Sequence, residues 1–256
     1  MEVKILERDK TSLSLVLCDA NASFANAIRR VIISEVPTLA IENVDFLENT
    51  SSLYDETIAH RLGLIPIKTD LEIFNFREEC SCKNGCSRCT LKLSLSKEGP
   101  CVVYSQDIKS EDSKLKPIEG ILILKLGKSQ KISLEAEAIL GTGKEHAKWQ
   151  PAVISYKYYP EIEIMDKCDL CGECVTACPR DILSIEKKKV KISDEKKCNL
   201  CNSCVEECEL DAIKVRGNDK KFIIKIESTG ALKPEEIFSK SCEILQEKAK
   251  KLRGLL

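Results

Sequence analysis

The sequence predicts an α+β protein of short strands and two amphipathic helices, interrupted in its second half by a compact cysteine-rich insert. Three observations carry that prediction. Short alternating segments, punctuated by glycine and proline, run through most of the chain, as half-buried strands do. Two stretches, 22–35 and the segment opened by Pro234, repeat apolar residues at helical spacing instead. Finally, eight of the 15 cysteines fall between 168 and 208. A chain of 256 residues is long enough for one large domain or two or three small ones.

Residues 2–17 read as a hairpin, two alternating strands around Arg8-Asp9-Lys10-Thr11. A helix follows, with Asp19 or Asn21 as its N-cap. Phe24, Ala27, Ile28, Val31 and Ile32 form one apolar stripe on it, and Pro37 ends it. Leu39 to Leu47 resumes as strand. A short helix covers Glu56 to Arg61 and stops at Gly63. Residues 91–104, 121–126, 132–140 and 153–164 alternate like strands, and Phe222 to Ile226 does so beyond the cysteine repeat. Pro234 sits in the first turn of a C-terminal helix. Its apolar residues Ile237, Ile244, Leu245 and Leu252 make one seam, either core or a partner face.

Composition narrows the function. Lys+Arg 40 against Asp+Glu 41 leaves a net charge of -1, which excludes a general basic face for nucleic acid. No apolar run approaches the ~20 residues of a membrane span. The first eight residues read as a charged alternating strand and not as an export signal, so the expected compartment is the cytosol, where thiols stay reduced. Fifteen cysteines in that setting point to metal.

Cys168-x2-Cys171-x2-Cys174-x3-Cys178 returns thirty residues later as Cys198-x2-Cys201-x2-Cys204-x3-Cys208. The repeat extends to Leu170 with Leu200, Val175 with Val205 and Asp181 with Asp211. This is the bacterial run for [4Fe–4S] clusters, in which three thiolates on a tight loop hold one cube and the fourth reaches the other. By that rule cluster one takes Cys168, Cys171, Cys174 and Cys208, and cluster two takes Cys198, Cys201, Cys204 and Cys178. Zinc usually uses two C-x2-C pairs separated by a longer knuckle, which these intervals fit poorly. Glu209 stands where proline would follow the last cysteine, a position that shapes the loop exit without ligating. Four further cysteines, Cys80, Cys82, Cys86 and Cys89, sit among Asn84, Gly85 and two serines, a loop able to fold around one zinc ion. Cys18, Cys101 and Cys242 stand alone and read as small buried hydrophobes. Acidic residues outnumber basic ones 13 to 8 between 161 and 211.

Other patterns carry no chemistry. Gly141-Thr-Gly143-Lys144 lacks the glycine at 138 and the hydroxyl residue at 145 of a phosphate loop, and the third glycine of a dinucleotide loop is His146. The two histidines, His60 and His146, pair with no nucleophile, and the lysine runs at 187–189 and 248–253 read as solvated faces.

Three motifs in order make a family resemblance. Phe24-Ala-Asn-Ala-Ile-Arg29-Arg30 through Pro37 to Glu42, His60-Arg-Leu-Gly-Leu-Ile-Pro-Ile67, and Gly143-Lys-Glu-His146-Ala-Lys148-Trp149-Gln-Pro151 together resemble the α-like, or third-subunit, family of RNA polymerase subunits. With the cysteine insert, the chain is similar to the archaeal branch of that family, in its two-cluster ferredoxin-insert form. The resemblance implies a discontinuous α/β dimerisation domain from 1–48 plus 217–256, an inserted β-rich domain at 49–165 and an inserted ferredoxin-like double-cluster domain at 166–216. It also implies pairing with subunit L through the 22–35 and C-terminal helices. Contacts of the β-rich domain with subunits N and P and with the large catalytic subunits are implied in the same way. The role implied is assembly of the polymerase with no active site in this chain. An electron-transfer subunit of an anaerobic oxidoreductase is the competing reading, which the cysteine repeat alone would favour.

Overall fold

The structure, a computed structural model, describes residues 1–82 and 85–255. In chain order the first elements are β1 (Glu2–Arg8), β2 (Ser12–Cys18), α1 (Ala22–Ser34), β3 (Thr38–Asn49), α2 (Asp55–Gly63), β4 (Leu91–Glu98), β5 (Cys101–Tyr104) and β6 (Lys109–Ser110). They are followed by β7 (Leu122–Leu126), β8 (Lys131–Gly141), β9 (Ala152–Ile164), α3 (Glu173–Thr176), β10 (Leu183–Glu186), β11 (Lys189–Ile192), α4 (Ser203–Glu206), β12 (Ile213–Ser228) and α5 (Pro234–Arg253). Packing groups the chain into two compact units: 1–8, 14–27 and 155–225 in the first, and 9–13, 28–154 and 226–256 in the second.

The first unit is built on a four-stranded sheet of order β1-β2-β12-β9. Phe222 on β12 is fully buried, and the rings of Tyr156 and Tyr158 on β9 lie 6.1 and 5.1 Å from it. Beyond this sheet the cysteine-rich segment folds around its own core of Ile182, Leu183, Ile213 and four buried cysteines. A hairpin, β10 with β11, pairs Leu183 with Ile192 in that segment. The sequence pattern does not announce it, because its turn is made by Lys187 and Lys188 at φ +49° and +58° in place of the usual Asn-Gly.

The second unit carries a sheet of order β3-β8-β4-β6 and the ribbon β5-β7. Strand β4 shows why it forms: Leu91, Leu93 and Leu95 face the core while Lys92, Ser94 and Ser96 face water. Ile132, Leu134, Ala136, Ala138 and Leu140 of β8 supply the matching inner positions, packed with Ile58 and Leu62 of α2. The expected strand 91–104 is two strands, since Gly99-Pro100 breaks it and β4 and β5 join different sheets. A Cβ at Gly99 would lie 2.2 Å from the Gly127 carbonyl oxygen, so the backbones meet there too closely for a side chain.

Helix α1 is capped by Asn21, whose Oδ1 accepts the Phe24 N–H at 2.8 Å, and not by Asp19. Helix α5 opens at Pro234, and Glu236 reaches back to accept the Lys233 N–H. The proposed partner stripes need correction. Ile28, Val31, Ile32 and Ile237 are buried in the chain's own interior, so they serve this fold and cannot face a partner. Phe24 and Ala27 on α1, and Ile244 and Leu245 on α5, are half-buried, and Leu252 is exposed. Among the lone cysteines Cys18 is buried, whereas Cys101 and Cys242 are only half-buried and so are not full core thiols. Among the described residues, no helix is long and apolar enough to cross a membrane.

Candidate metal centres

The loop before β4 gathers four thiols. Cys89 is fully buried, and Cys80, Cys82 and Cys86 are half-buried around it. All four sulfurs lie within 4.8 Å of one another. Three separations are 3.4 Å (Cys82–Cys89), 3.6 Å (Cys80–Cys86) and 3.9 Å (Cys86–Cys89). Four thiolates at about 2.3 Å from zinc occupy tetrahedral corners about 3.8 Å apart, so the donor set fits that ion. Gly85 closes the loop at φ +88°, and its Cβ would lie 2.8 Å from Thr90 Oγ1. Asn84, read as a turn residue, lies outside the described residues. The thiols share their protons. Hydrogen bonds to Cys80 and Cys89 push Cys82 up to about 12. Burial raises Cys89, but the Cys86 N–H, the Thr90 hydroxyl and the neighbouring thiols outweigh it and bring Cys89 down to about 7.

The eight repeat cysteines are arranged differently. Cys168, Cys171, Cys174 and Cys208 line one cavity of about 440 Å³ that opens to solvent. Cys178, Cys198, Cys201 and Cys204 line a second, far tighter one of about 10 Å³. Each cavity therefore takes three cysteines from one copy of the repeat and the fourth from the other. Among the described residues neither four converges on a point as the Cys80–Cys89 loop does. Four thiols that line one site without converging on a point, three from one loop and one from the other copy, suit an inorganic cube better than a single ion.

The backbone repeats as well. Leu170 and Leu200 (φ +67° and +62°), Gly172 and Asn202 (+90° and +63°), and Asp181 and Asp211 (+50° and +47°) take the left-handed conformation in both copies. A leucine in that region is strained, and the same strain at two equivalent places marks a loop shaped for a purpose. Alternating left-handed residues turn successive N–H groups inward, as anion-binding loops do. The Leu200 N–H donates to Cys198 Sγ at 3.4 Å, and the Ala212 N–H to Cys208 Sγ at 3.2 Å. The sequence matches at 170/200 and 181/211 already pointed to these positions, although not to their conformation.

Burial raises the Cys174 thiol, and Cys168, Cys171 and Cys208 add to the effect. Burial likewise pushes Cys204 up to about 11, with Cys178, Cys198 and Cys201 contributing. Cys201 is lowered by its hydrogen bond from the Ser203 hydroxyl. A further residue, Lys157 on β9, was not visible as a site residue in the alternating pattern of its strand. Its ammonium donates to the carbonyls of Lys196 and Cys198 at 2.6 and 2.8 Å.

The remaining motifs hold the second unit together. The Gly143 Cα approaches the Ile33 carbonyl so closely that a Cβ would lie 1.9 Å from its oxygen. At Gly141 a Cβ would strike the Trp149 ring at 2.3 Å. Thr38 Oγ1 donates to the Trp149 carbonyl at 2.8 Å, and Trp149 Nε1 to the Ile139 carbonyl at 3.2 Å. Lys148 Nζ donates to the Ile41 carbonyl at 3.0 Å, pairs with Glu42 and lies 4.4 Å over the Trp149 ring. Arg61 Nη1 donates to the Ile123 carbonyl at 2.6 Å, while Leu62, Ile65 and Ile67 are buried. His146 Nδ1 accepts the Lys148 N–H at 3.1 Å, a structural role.

Comparison with known proteins matches two family models. Residues 44–155 match the RNA polymerase Rpb3/RpoA insert domain, and residues 167–212 match a 4Fe-4S dicluster domain. A relative from Methanothermobacter thermautotrophicus, DNA-directed RNA polymerase subunit Rpo3, is 45% identical over 98% of this chain and 97% of its own. Relatives of the same name from Archaeoglobus fulgidus and Pyrococcus furiosus are 44% and 38% identical. They cover 100% and 97% of this chain, and 97% and 94% of their own.

Proposed function

Because the chain belongs to the Rpo3 family of archaeal DNA-directed RNA polymerase subunits, we propose that it is the scaffold on which the polymerase core is assembled. It is a non-catalytic subunit, and nucleotidyl transfer belongs to the complex. The observation that carries the scaffold reading is the continuity of the match. The three relatives named above align over 97% or more of the chain, so the motif-bearing segments and the cysteine insert belong to one polymerase subunit. An electron-transfer subunit of an oxidoreductase is not favoured, since it would account for the insert alone.

In this reading 1–48 with 217–256 form the dimerisation domain, 49–165 the β-rich domain and 166–216 the ferredoxin-like domain. The chain pairs with subunit L through two apolar contributions, Phe24 with Ala27 on α1, and Ile244, Leu245 and Leu252 on α5. The β-rich domain meets subunits N and P and the large catalytic subunits. Iron–sulfur binding follows from the dicluster match. We assign two [4Fe–4S] clusters, one to Cys168, Cys171, Cys174 and Cys208, and one to Cys178, Cys198, Cys201 and Cys204. One zinc ion is assigned to Cys80, Cys82, Cys86 and Cys89. The thiol rings and the sulfur spacing support these assignments. Metal–thiolate binding energy is folding energy, so the clusters cross-link an insert of about fifty residues whose own core is small. Loss of clusters to oxygen then loosens the insert and lowers assembly.

The test is oxygen-free purification with iron, sulfide and zinc measured on the same sample as the co-purifying proteins. The scaffold reading expects polymerase subunits, subunit L among them, together with two clusters' worth of iron and sulfide. Co-purification with a dehydrogenase, and no polymerase subunit, would overturn it. Unchanged assembly after complete cluster loss in air would remove the redox part alone.

A further inference from the structure

The two candidate cluster sites share a ligand chemistry but differ in the charge that surrounds them. Besides its four cysteines, the first cavity is lined by Asp169, Glu173, Glu206, Glu207 and Glu209, and by no basic side chain among the described residues. Among the described residues, the second is lined by one charged side chain, Arg180. Behind the second site lies Lys157, tied to the carbonyl of the ligand Cys198 and to that of Lys196. Lys157 sits in a groove shared with Arg180, Lys196, Lys197 and Lys225, against the acidic Glu7 and Asp194. Burial lowers its pKa, with Arg180 adding to the effect and Cys198 and Asp194 opposing it.

A cube held by four thiolates is anionic, and taking up one electron makes it more so. Hydrogen bonds, nearby charge and solvent exposure set its reduction potential. Positive groups favour the reduced form and carboxylates the oxidised one. A half-buried ammonium acts with less screening than an exposed one. We infer that the insert is an electrostatically polarised pair, in which the cluster on Cys178, Cys198, Cys201 and Cys204 is reduced at the higher potential, with Lys157 and Arg180 as its tuning residues. The inference rests on the two-cluster reading above. The step is the transfer of one electron from an outer-sphere reductant such as a reduced viologen to a [4Fe–4S]2+ cluster, giving [4Fe–4S]1+, with no bond broken and no proton moved. Added negative charge beside Lys157 strengthens its hold on the Cys198 loop, so reduction tightens the tie between that loop and β9.

The experiment is a potentiometric titration of the full chain, purified without oxygen and followed by electron paramagnetic resonance. Two separate reduction waves are expected. Cys201→Ser removes or alters the higher one, and Cys171→Ser the lower one. Lys157→Gln and, separately, Arg180→Gln shift the higher wave downward and leave the lower in place. A tenfold change in reduced-to-oxidised ratio at fixed potential corresponds to about 59 mV for this one-electron couple. Glu173→Gln with Glu207→Gln raises the lower wave. Arg180 is exposed at the protein surface, so its variant reads the charge effect even where Lys157→Gln disturbs folding. Two clusters that titrate as one wave, a Cys201→Ser loss of the lower wave, or no shift in either cation variant overturns the polarity. Iron and sulfide analysis of the same samples separates the two failures: a chain without iron overturns both readings, and a fully loaded chain with a single wave overturns the polarity alone.

Discussion

Replacing Lys148 by methionine tests the idea that the third motif is a structural knot. The ammonium donates to the Ile41 carbonyl at 3.0 Å, lies 4.4 Å over the Trp149 ring and pairs with Glu42. Its side chain is 13% exposed, against 39% for that of Glu42. A hydrogen bond from a charged donor is worth about 1.5–3 kcal/mol. The cation over the ring adds roughly 0.5–2 kcal/mol. The pair with the more exposed carboxylate contributes under about 1 kcal/mol. Methionine keeps most of the stem packing, and contributions in contact do not simply add, so the expected loss is about 2–4 kcal/mol. Trp149 is the protein's single tryptophan, so its fluorescence reports on this unit alone. In urea, with a slope of about 2 kcal/mol/M, the midpoint should fall by about 1–2 M with the slope unchanged. Glu42→Gln should cost under about 1 kcal/mol. A Lys148→Met midpoint within about 0.3 M of the parent, roughly 0.5 kcal/mol, would refute the reasoning. So would a Glu42→Gln loss as large as that of Lys148→Met, since the energy would then lie in the ion pair.

Four further outcomes are expected. Gly143→Ala forces a Cβ toward the Ile33 carbonyl, where both backbones are held by the Lys144 N–H bond to Ser34, and should cost at least about 1–3 kcal/mol by the same fluorescence assay. Asp107 is held below its usual range by the hydrogen bond from Lys97 and then by the Tyr104 N–H. Its contribution is complete above the ordinary carboxylate pKa and is lost as pH falls through the folded value, so the stability gap between parent and Asp107→Asn should be open at pH 7 and close in acid. Cys89→Ser should abolish zinc content, measured by elemental analysis, while leaving iron unchanged. Leu252→Glu, at a residue 61% exposed, should leave the unfolding midpoint of the isolated chain within about 0.3 M and reduce its yield with co-expressed subunit L.

Much of this is legible in the sequence. Alternation in 91–98 and 132–140, the Asn21 cap and the Pro234 opening are local chemistry, and local chemistry is what a sequence pattern records. The cysteine repeat was equally plain, because ligand spacing is a covalent fact. Hidden features depend on distant neighbours. The strand expected at Phe222 to Ile226 begins at Ile213 in the sixteen-residue β12, and Gly217 within it is needed because a Cβ would lie 2.6 Å from that of Tyr158. The apolar stripe of α1 could not say whether its centre faces this chain or another, and burial of Ile28, Val31 and Ile32 shows that it faces this one. Lys157 could not be recognised from β9 alone, because its partners are carbonyls forty residues away.

The shared lining of the two cavities also sets an order of events during synthesis. The thiol that leaves the ribosome first, Cys168, belongs to the ring that closes last, with Cys208, forty residues later. The ring that begins later, at Cys178, is complete with Cys204. At about 5–20 residues per second, the first trio, complete at Cys174, waits roughly 2–7 s for its fourth member. Throughout that interval a nascent chain displays three reactive sulfurs with nothing to close them. In the two-cluster reading, iron delivered during synthesis would therefore be a matter of timing as much as affinity, with the greatest exposure to oxygen or a competing metal falling before Cys208 is made.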